Sequence, residues 1–349
     1  MRKRIVLLAL VFLFSAWAGL PSPVIAKEPV KIRVGYLPAT HDILFFIAQD
    51  KGYFKEEGLE VEAFAFRNSG EVLEAMKAGK LDMGIPGIAA PIAFIAKGAP
   101  FKMVGGAAWF SAGIVAKPER ADEFKGLKDF KGKTIATTRL ATGDATWRWG
   151  LVQAGLDLKK DVTIKEFASP GDASAAVQAG HVDAAVLWQP HETIAEQRGL
   201  KVVKWVKEIY PHPCCRQVAH EDYIAKHPEG VVAYLKGIIR AETFFRDPKN
   251  KEEVVKIGQK WLRLDEAVIR KAFVEIDPLL SEPRTSVGAR LGVVEASKYV
   301  DMMLEIGYID REGAALAKAS LVPDYLIKAY KELGIAKTDA EAKKLAGAL

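Results

Sequence analysis

The sequence lacks the features that mark several functional classes. Only two of its 349 residues are cysteines and they are adjacent, Cys214 and Cys215, so the chain carries no disulfide framework. Basic residues are scattered and form no stripe, so no nucleic-acid partner is expected. No phosphate-binding loop, Ser/His/Asp order or pair of carboxylates stands out. The sequence therefore predicts no enzyme, no cofactor and no bound metal.

Long apolar runs are missing after the N-terminal stretch. That stretch begins with three basic residues at positions 2–4, continues as an apolar run at 5–20, and ends in small residues up to Ala26. This is the pattern of a signal peptide, and a retained membrane anchor is the alternative. We expect residues 1–26 to be cleaved and the mature chain to be exported to the periplasm.

The mature chain alternates between strand and helix patterns. Residues 31–66 read as one strand–helix–strand unit, in which Pro38 ends the first strand and Asp42 suits the start of a helix. The alternation continues to residue 116 and resumes from 134 to 187. This pattern predicts an α/β fold with mostly parallel sheets covered by helices on both faces.

The two alternating stretches resemble each other at a fixed offset of 101 residues. Seven positions are identical at this offset, beginning with Val61/Val162 and Phe66/Phe167 and ending with Gly79/Gly180 and Asp82/Asp183. Chance sharing of turn chemistry by two similar units is the alternative. Whether the two stretches share an origin or only their turn chemistry, they predict two lobes of one design with a cleft between them.

From about residue 220 the apolar residues recur at spacings of three and four, which predicts helices. Since no further strand pattern follows, we expect these helices to wrap the first lobe. The predicted division is 28–116 plus 218–349 for lobe 1 and 117–217 for lobe 2. The chain then crosses between lobes twice, near 116–120 and near 207–220, and two crossings form a hinge that lets lobes close on a ligand.

Four segments, in this order and spacing, carry a family resemblance: VGYLPATHDILFFIAQDKGYFKEEGLEVE, LEAMKAGKLDMGI, FKGKTIATT and VDAAVLWQP. They resemble the substrate-binding proteins of ABC importers, in the nitrate/sulfonate/taurine group that also contains thiamine-precursor binders. The resemblance implies a type II periplasmic-binding-protein fold with two α/β lobes and a hinged cleft. It also implies delivery of a small solute to a membrane permease, without fixing the solute. From the helix N-termini and aromatic residues of the predicted cleft we expect a small anionic or zwitterionic organic solute of the sulfonate, taurine or nitrate kind, and we expect the protein to be a monomer.

Two alternatives to this function stay open. One is a thiamine-pyrimidine-precursor binding protein or a related enzyme, and the other is a sensory ligand-binding module on the same fold. In the related thiamine-pyrimidine synthases a cysteine-rich motif accompanies iron chemistry. This chain has only the HPCC segment at 212–215, which weakens the enzyme alternative.

The loop at 137–144 is the richest candidate for solute contact, because it joins a predicted strand to a helix N-terminus. Thr138 and Thr142 can donate hydrogen bonds, and Arg139 can pair with a sulfonate or carboxylate. Gly143 lets backbone approach a ligand. Asp144 opposes a pure anion unless the solute also carries an amine or ring N–H. Ordinary helix capping, with Arg139 in solvent, is the alternative.

Other candidates lie at predicted strand ends and loops, which meet at one edge of a parallel sheet. Trp188 follows a strand and corresponds at the 101 offset to Gly87, so we expect the two to face each other across the cleft. The remaining candidates are Tyr36, His41, Ile88, Trp109 and Ser111.

The HPCC segment allows three interpretations. Cys214 and Cys215 can be buried small apolar residues, a strained vicinal disulfide in an oxidising compartment, or part of a ligand or metal site. Its position at the predicted return crossing places it at the floor of the cleft.

Overall fold

The computed structural model describes residues 28–349 except positions 111, 279 and 281. The predicted signal peptide at 1–26 and the candidate Ser111 lie outside the described residues. The strands are β1 (Val30–Tyr36), β2 (Leu59–Ala65), β3 (Met83–Gly84), β4 (Phe101–Trp109), β5 (Ala112–Ala116), β6 (Thr134–Thr138), β7 (Thr163–Phe167), β8 (Ala184–Trp188), β9 (Lys201–Trp205), β10 (Pro213–His220) and β11 (Ser286–Val287).

Helices connect the strands and follow them in the C-terminal part. They are α1 (Ile43–Asp50), α2 (Tyr53–Glu56), α3 (Ser69–Lys77), α4 (Ala89–Ile95), α5 (Thr142–Gln153), α6 (Pro170–Gln178), α7 (His191–Gln197), α8 (Glu221–Lys226), α9 (Pro228–Arg246), α10 (Lys251–Leu262), α11 (Glu266–Phe273), α12 (Val293–Glu305), α13 (Arg311–Ala319), α14 (Asp324–Glu332) and α15 (Asp339–Ala346). Within the described residues, these helices are all too short or too polar to cross a membrane.

The strands form two sheets of matching design. The first has the order β11-β4-β10-β3-β1-β2 and the second β7-β6-β8-β5-β9. In the first sheet β10 and β4 each run antiparallel to both neighbours, and in the second sheet β5 does. We call the first sheet and its helices lobe 1, and the second sheet and its helices lobe 2.

The 101-residue offset reappears in the strand register. Val34 pairs with Met83 in the first sheet, and Ile135 pairs with Ala184 in the second, each residue 101 positions further on. The same offset relates two helix caps, Asn68 and Ser169, whose side chains each accept a hydrogen bond from the third residue beyond them. The two lobes therefore share one local design as well as one topology.

Burial follows the two-sheet arrangement. The core of lobe 1 includes side chains from α9 to α15, so the C-terminal helices pack on the first sheet as predicted. Lobe 2 has one cluster on each face of its sheet, with Ile114 and Ile135 in one and Val115 and Ala136 in the other. Successive residues of β5 and β6 thus point to opposite buried faces, as expected for a strand covered on both sides.

The assignment of strands to sheets places both crossings between the lobes earlier in the chain than the sequence pattern predicted. The stretch 112–116, assigned above to lobe 1, is strand β5 of the second sheet, and residues 213–217, assigned to lobe 2, belong to β10 of the first. Periodicity shows that a segment is a strand but not which sheet pairs with it, because pairing depends on distant partners. We propose boundaries at 110–111 and 206–212.

Two aspartates at equivalent positions of the two lobes, Asp82 and Asp183, each bind the backbone at the start of a parallel strand. Asp82 Oδ2 accepts a hydrogen bond from the Arg33 N–H at 2.8 Å, and Asp183 Oδ2 accepts one from the Thr134 N–H at 2.6 Å. Arg120 also binds Asp183. Burial raises the pKa of Asp183, but the Thr134 N–H and Arg120 outweigh this and hold the pKa below its usual value.

Replacing either aspartate by alanine should destabilise the fold, because a strand N–H loses its acceptor. We expect Asp183→Ala and Asp82→Ala each to lower the free energy of unfolding by about 1–3 kcal/mol in urea titrations at pH 7. Since the pKa of Asp183 is depressed in the folded state, its contribution should disappear as the pH falls below about 4. Asp122→Ala is the matched control, because that side chain is 95% exposed. Equal unfolding curves for the Asp183 and Asp122 variants would contradict this role.

Candidate functional site

A small cavity lies where the two lobes meet. Its volume is about 30 Å³, and it is lined from lobe 1 by Leu37, His41, Asn68, Ser69, Gly87, Cys214 and Cys215, and from lobe 2 by Ala112, Thr138, Arg139, Leu140, Ala141, Thr142, Gly143, Asp144, Val186, Leu187 and Trp188. A space of this size holds one or two water molecules. It is far smaller than the space that an organic solute needs.

The floor on the lobe 2 side is the N-terminus of α5. Leu140 adopts a left-handed backbone (φ 59°), which turns the chain from β6 into the helix that begins at Thr142. The first N–H groups of a helix have no partner within it, and its positive dipole end favours an anion. The hydroxyl of Thr138, a buried residue, has no hydrogen-bond partner within the described part of the protein and belongs to the same wall.

The charge of Asp144 is balanced inside the protein. Its Oδ1 accepts a hydrogen bond from Arg148 Nε at 2.8 Å, and its Oδ2 accepts one from the Tyr308 hydroxyl at 2.7 Å. The carboxylate is fully buried in this network. Asp144 therefore opposes an anionic ligand much less than its position in the sequence suggested.

Arg139 lies at the rim of the cavity. Its side chain is 71% exposed, and its nearest acidic partner is Glu166 at 3.9 Å. A weak, exposed ion pair of this kind leaves the guanidinium available to a ligand. Among the described lining residues Arg139 is the only lysine or arginine, so the cavity offers at most one fixed positive charge.

The lobe 1 wall combines a buried histidine with a second helix start. His41 is 2% exposed, neither ring nitrogen has a hydrogen-bond partner among the described residues, and burial lowers its pKa. Ser69 begins α3, and its Oγ accepts a hydrogen bond from the Gly87 N–H at 3.0 Å. The wall therefore presents a neutral imidazole, a hydroxyl and helix N–H groups.

The lobes touch where Gly87 faces the start of α5. A Cβ atom on Gly87 would lie 2.6 Å from Thr142 Oγ1, closer than real atoms approach. The Thr142 hydroxyl donates to the Cys214 carbonyl oxygen at 3.3 Å, across the cleft. Nearby, the Asn68 side chain donates to the Ala168 carbonyl oxygen at 3.4 Å. Glycine at 87 is therefore what allows this approach.

Trp188 supplies the large apolar surface of the cavity. It ends strand β8, is partly buried, and stands edge-to-face with His191 at 5.7 Å between ring centres. Gly87, at the equivalent position of lobe 1, lines the same cavity. The two residues thus share one cavity, as the 101-residue offset suggested.

Eight of the twelve predicted site residues line this cavity: His41, Gly87, Thr138, Arg139, Thr142, Gly143, Asp144 and Trp188. Three others lie elsewhere. Tyr36 packs against Phe46 and Trp261, and Ile88 is buried with its N–H donating to the Cys214 carbonyl oxygen at 2.6 Å. The Trp109 ring stacks against Arg216 and Arg290. Each of the three follows or ends a strand, but its side chain turns into the lobe 1 packing.

Asn68 and Ser69 were missed by the sequence reasoning, although both line the cavity. A signal was present. Asn68 caps α3 just after strand β2, and Ser169, 101 residues later, caps α6 just after β7. Two cap residues at equivalent positions predict that a helix begins at the edge of each sheet. The cysteines were left open between three interpretations, and both line the cavity as well.

A buried polar cluster surrounds the HPCC segment. Cys214 Sγ and Cys215 Sγ lie 3.5 Å apart. His212 Nδ1 donates to the Tyr210 carbonyl oxygen at 2.9 Å, and Arg216 is fully buried with Nη1 donating to the carbonyl oxygens of Cys215 and Ala108 at 2.6 and 3.1 Å. Among the described residues, His, Cys, Asp and Glu side chains form no group of three or more placed to hold a metal ion.

Comparison with known proteins places the chain in a family. Residues 25–258 match the NMT1-like family, and the protein belongs to that family. A Brucella abortus (strain 2308) protein named for binding is 30% identical over 256 residues, covering 71% of this chain and 76% of its own. A Bacillus subtilis (strain 168) protein named for binding aliphatic sulfonates is 26% identical over 283 residues, which cover 79% of this chain and 82% of the relative.

Solved structures show the same fold. The periplasmic nitrate-binding protein NrtA from Synechocystis PCC 6803 superposes with a TM-score of 0.77 at 16% identity, over 89% of this chain and 91% of its own. The alkanesulfonate-binding protein SsuA from Xanthomonas axonopodis pv. citri, bound to MOPS, superposes with a TM-score of 0.69 at 20% identity, over 84% of this chain and 99% of its own. The fold predicted from the sequence, that of periplasmic binding proteins, is confirmed.

Replacing Gly87 by alanine should keep the lobes apart, because the new methyl group would meet Thr142 Oγ1. We expect the radius of gyration of Gly87→Ala to exceed that of the parent protein in solution scattering, with thermal unfolding little changed. The double variant Gly87→Ala/Thr142→Ala should return toward the parent, since it removes the opposing oxygen. Gly126→Ala is the control, because the nearest atom there is 3.7 Å away. A Gly87→Ala profile identical to the parent would show that this contact does not limit closure.

His191 should make the folded state sensitive to acid. Burial lowers its pKa to about 4, with His41 and Arg198 adding repulsion, whereas an unfolded histidine titrates near 6.5. The stability it contributes is therefore complete above about pH 6.5 and is lost as the pH falls toward 4. Between pH 6.5 and pH 4, the free energy of unfolding measured by urea titration should fall less for His191→Gln than for the parent protein. His181→Gln, at an exposed histidine, should behave like the parent, and equal slopes for both variants would contradict the assignment.

Proposed function

We propose that this protein captures a small, singly charged anionic or zwitterionic organic solute in the cleft between its lobes and delivers it to an ABC importer. The observation that carries the proposal is the cavity itself. Two helix N-termini, the free hydroxyl of Thr138 and the neutral ring of His41 meet in it, and Arg139 stands at its rim. Such donors suit an oxyanion head group.

The balance of charge favours one negative charge on the solute. The charge of Asp144 is opposed by Arg148, the Tyr308 hydroxyl donates a hydrogen bond to the same carboxylate, and burial holds His41 neutral. Helix N–H groups and hydroxyls then provide the binding, with one guanidinium available from Arg139. A single guanidinium matches one negative charge on the solute.

The apolar part of the cavity favours an organic body on that head group. Leu37, Ala112, Val186, Leu187 and Trp188 line it beside the polar donors. An alkanesulfonate or a taurine-like zwitterion has this division into a charged head and a small apolar or aminated body. The names of the Bacillus subtilis relative and of the SsuA and NrtA structures support a solute of this class.

The remaining parts of the proposal follow from that role. The protein acts in the periplasm after cleavage near Ala26, binds a membrane permease as a monomer, and performs no chemistry on its solute. The relatives described above are named for binding, which supports a binding role. The small volume of the cavity supports a cycle of opening and closing about the two crossings.

Isothermal titration calorimetry with four probes tests the proposal: taurine, methanesulfonate, nitrate, and a hydroxymethylpyrimidine as a neutral heteroaromatic. Native mass spectrometry of the protein as purified would show any solute carried along. We expect at least one sulfonate to bind in the micromolar range or tighter. Binding of the pyrimidine alone would favour the thiamine-precursor alternative, and conversion of any probe to product would overturn the binding role.

Thr138→Val should weaken the binding sulfonate, because it replaces an unpartnered buried donor with a methyl group of the same shape. We expect a loss of about 1–3 kcal/mol, or roughly five- to 150-fold in Kd. Thr163→Val is the matched control, since Thr163 lies exposed on strand β7. Thermal unfolding of the ligand-free protein should be nearly unchanged in both. Unaltered affinity in Thr138→Val would remove this hydroxyl from the site.

A further inference from the structure

Cys214 and Cys215 are two thiols whose chemistry the proposed solute binding does not use. Their sulfur atoms lie 3.5 Å apart, both residues line the cavity, and the sequence contains no other cysteine. Both are buried while the lobes are together. Opening of the cleft would expose them to small molecules from solution.

The two thiols are chemically different. A hydrogen bond from Cys215 lowers the pKa of Cys214 well below its usual value, against the effect of burial, and a hydrogen bond with His212 adds to the lowering. Burial raises the pKa of Cys215. One sulfur is thus prepared as a thiolate nucleophile, and its neighbour remains a thiol that can attack in a second step.

A disulfide between adjacent residues is strained. Neighbouring Cα atoms are about 3.8 Å apart, below the roughly 4.4 Å at which ordinary disulfides begin. Strained disulfides are the easily reduced ones. A bond formed here would therefore be reversible under mild conditions, unlike a structural disulfide.

The backbone of Cys214 joins the two lobes. Its carbonyl oxygen accepts the Ile88 N–H at 2.6 Å from lobe 1 and the Thr142 hydroxyl at 3.3 Å from lobe 2. The β10–β4 pairing is irregular between Pro213 and Cys215 and again between Cys215 and Arg216. To close a disulfide between adjacent residues we expect the peptide between the cysteines to rotate, which moves the Cys214 carbonyl oxygen away from these two donors.

We propose that Cys214 and Cys215 are a reversible dithiol–disulfide switch that controls whether the cleft closes. The Cys214 thiolate attacks one sulfur of an external disulfide and releases the other sulfur as a thiolate. Cys215 then loses its proton, attacks Cys214 Sγ in the mixed disulfide, and releases the second external thiolate. In total, two protein thiols are oxidised to one disulfide and one external disulfide is reduced to two thiols.

The switch goes beyond the proposed function and can be tested without knowing the solute. Bis(2-hydroxyethyl) disulfide is a small external disulfide suited to this cavity. After incubation the protein is unfolded, treated with a maleimide and weighed by mass spectrometry. We expect two labels before oxidation, none afterwards, and two again after brief treatment with dithiothreitol. Two labels throughout, or a persistent adduct of the reagent, would overturn the proposal.

Single variants test the order of attack. Cys215→Ser should stop at the mixed disulfide on Cys214, while Cys214→Ser should react at least tenfold more slowly. Equal rates would refute the assignment of Cys214 as the nucleophile.

Solution scattering tests the coupling to the cleft. The oxidised protein should have a larger radius of gyration than the reduced protein, and the double variant Cys214→Ser/Cys215→Ser should not respond to the reagent. Oxidation without any change in the scattering profile would refute control of closure. These results are independent of solute titrations, so a failure of the switch and a failure of the proposed function can be told apart.

Discussion

The approach of α5 to lobe 1 is the constraint on which the site depends. Thr142, at the first turn of α5, meets Gly87 on one side and the Cys214 carbonyl oxygen on the other. This contact brings the unpaired N–H groups of α5 opposite His41 and Ser69, which belong to the other sheet. Neither lobe alone supplies all of these donors, so the proposed recognition of a solute depends on the two lobes being together.

The fold was largely readable from the sequence, because it is carried by local signals. Alternation, turn residues and the 101-residue offset predicted the two lobes, and the strand registers repeat at that same offset. The lobe boundaries were not readable in the same way. Strand β5 resembles a continuation of β4, and only its pairing with β8 and β9 assigns it to lobe 2.

The sequence predicted which backbone segments line the site, but it predicted the directions of the side chains much less well. The α5 loop and Gly87 follow from strand ends, but the direction of Trp109 and Tyr36 is decided by aromatic and arginine neighbours distant in sequence. The same holds for Asp144, whose Oδ2 accepts a hydrogen bond from Tyr308, 164 residues further on between α12 and α13. A charged residue in a motif can therefore mislead until its buried partner is known.

The cleft is asymmetric although the two lobes share one design. Gly87 and Trp188 occupy equivalent positions at the ends of equivalent strands, yet one has no side chain and the other has the largest. The missing side chain lets backbone and helix N-termini approach, and the indole fills space on the opposite lip. The cavity thus combines polar donors from both lobes with an apolar surface on lobe 2, so the two ends of an elongated solute would meet chemically different surroundings.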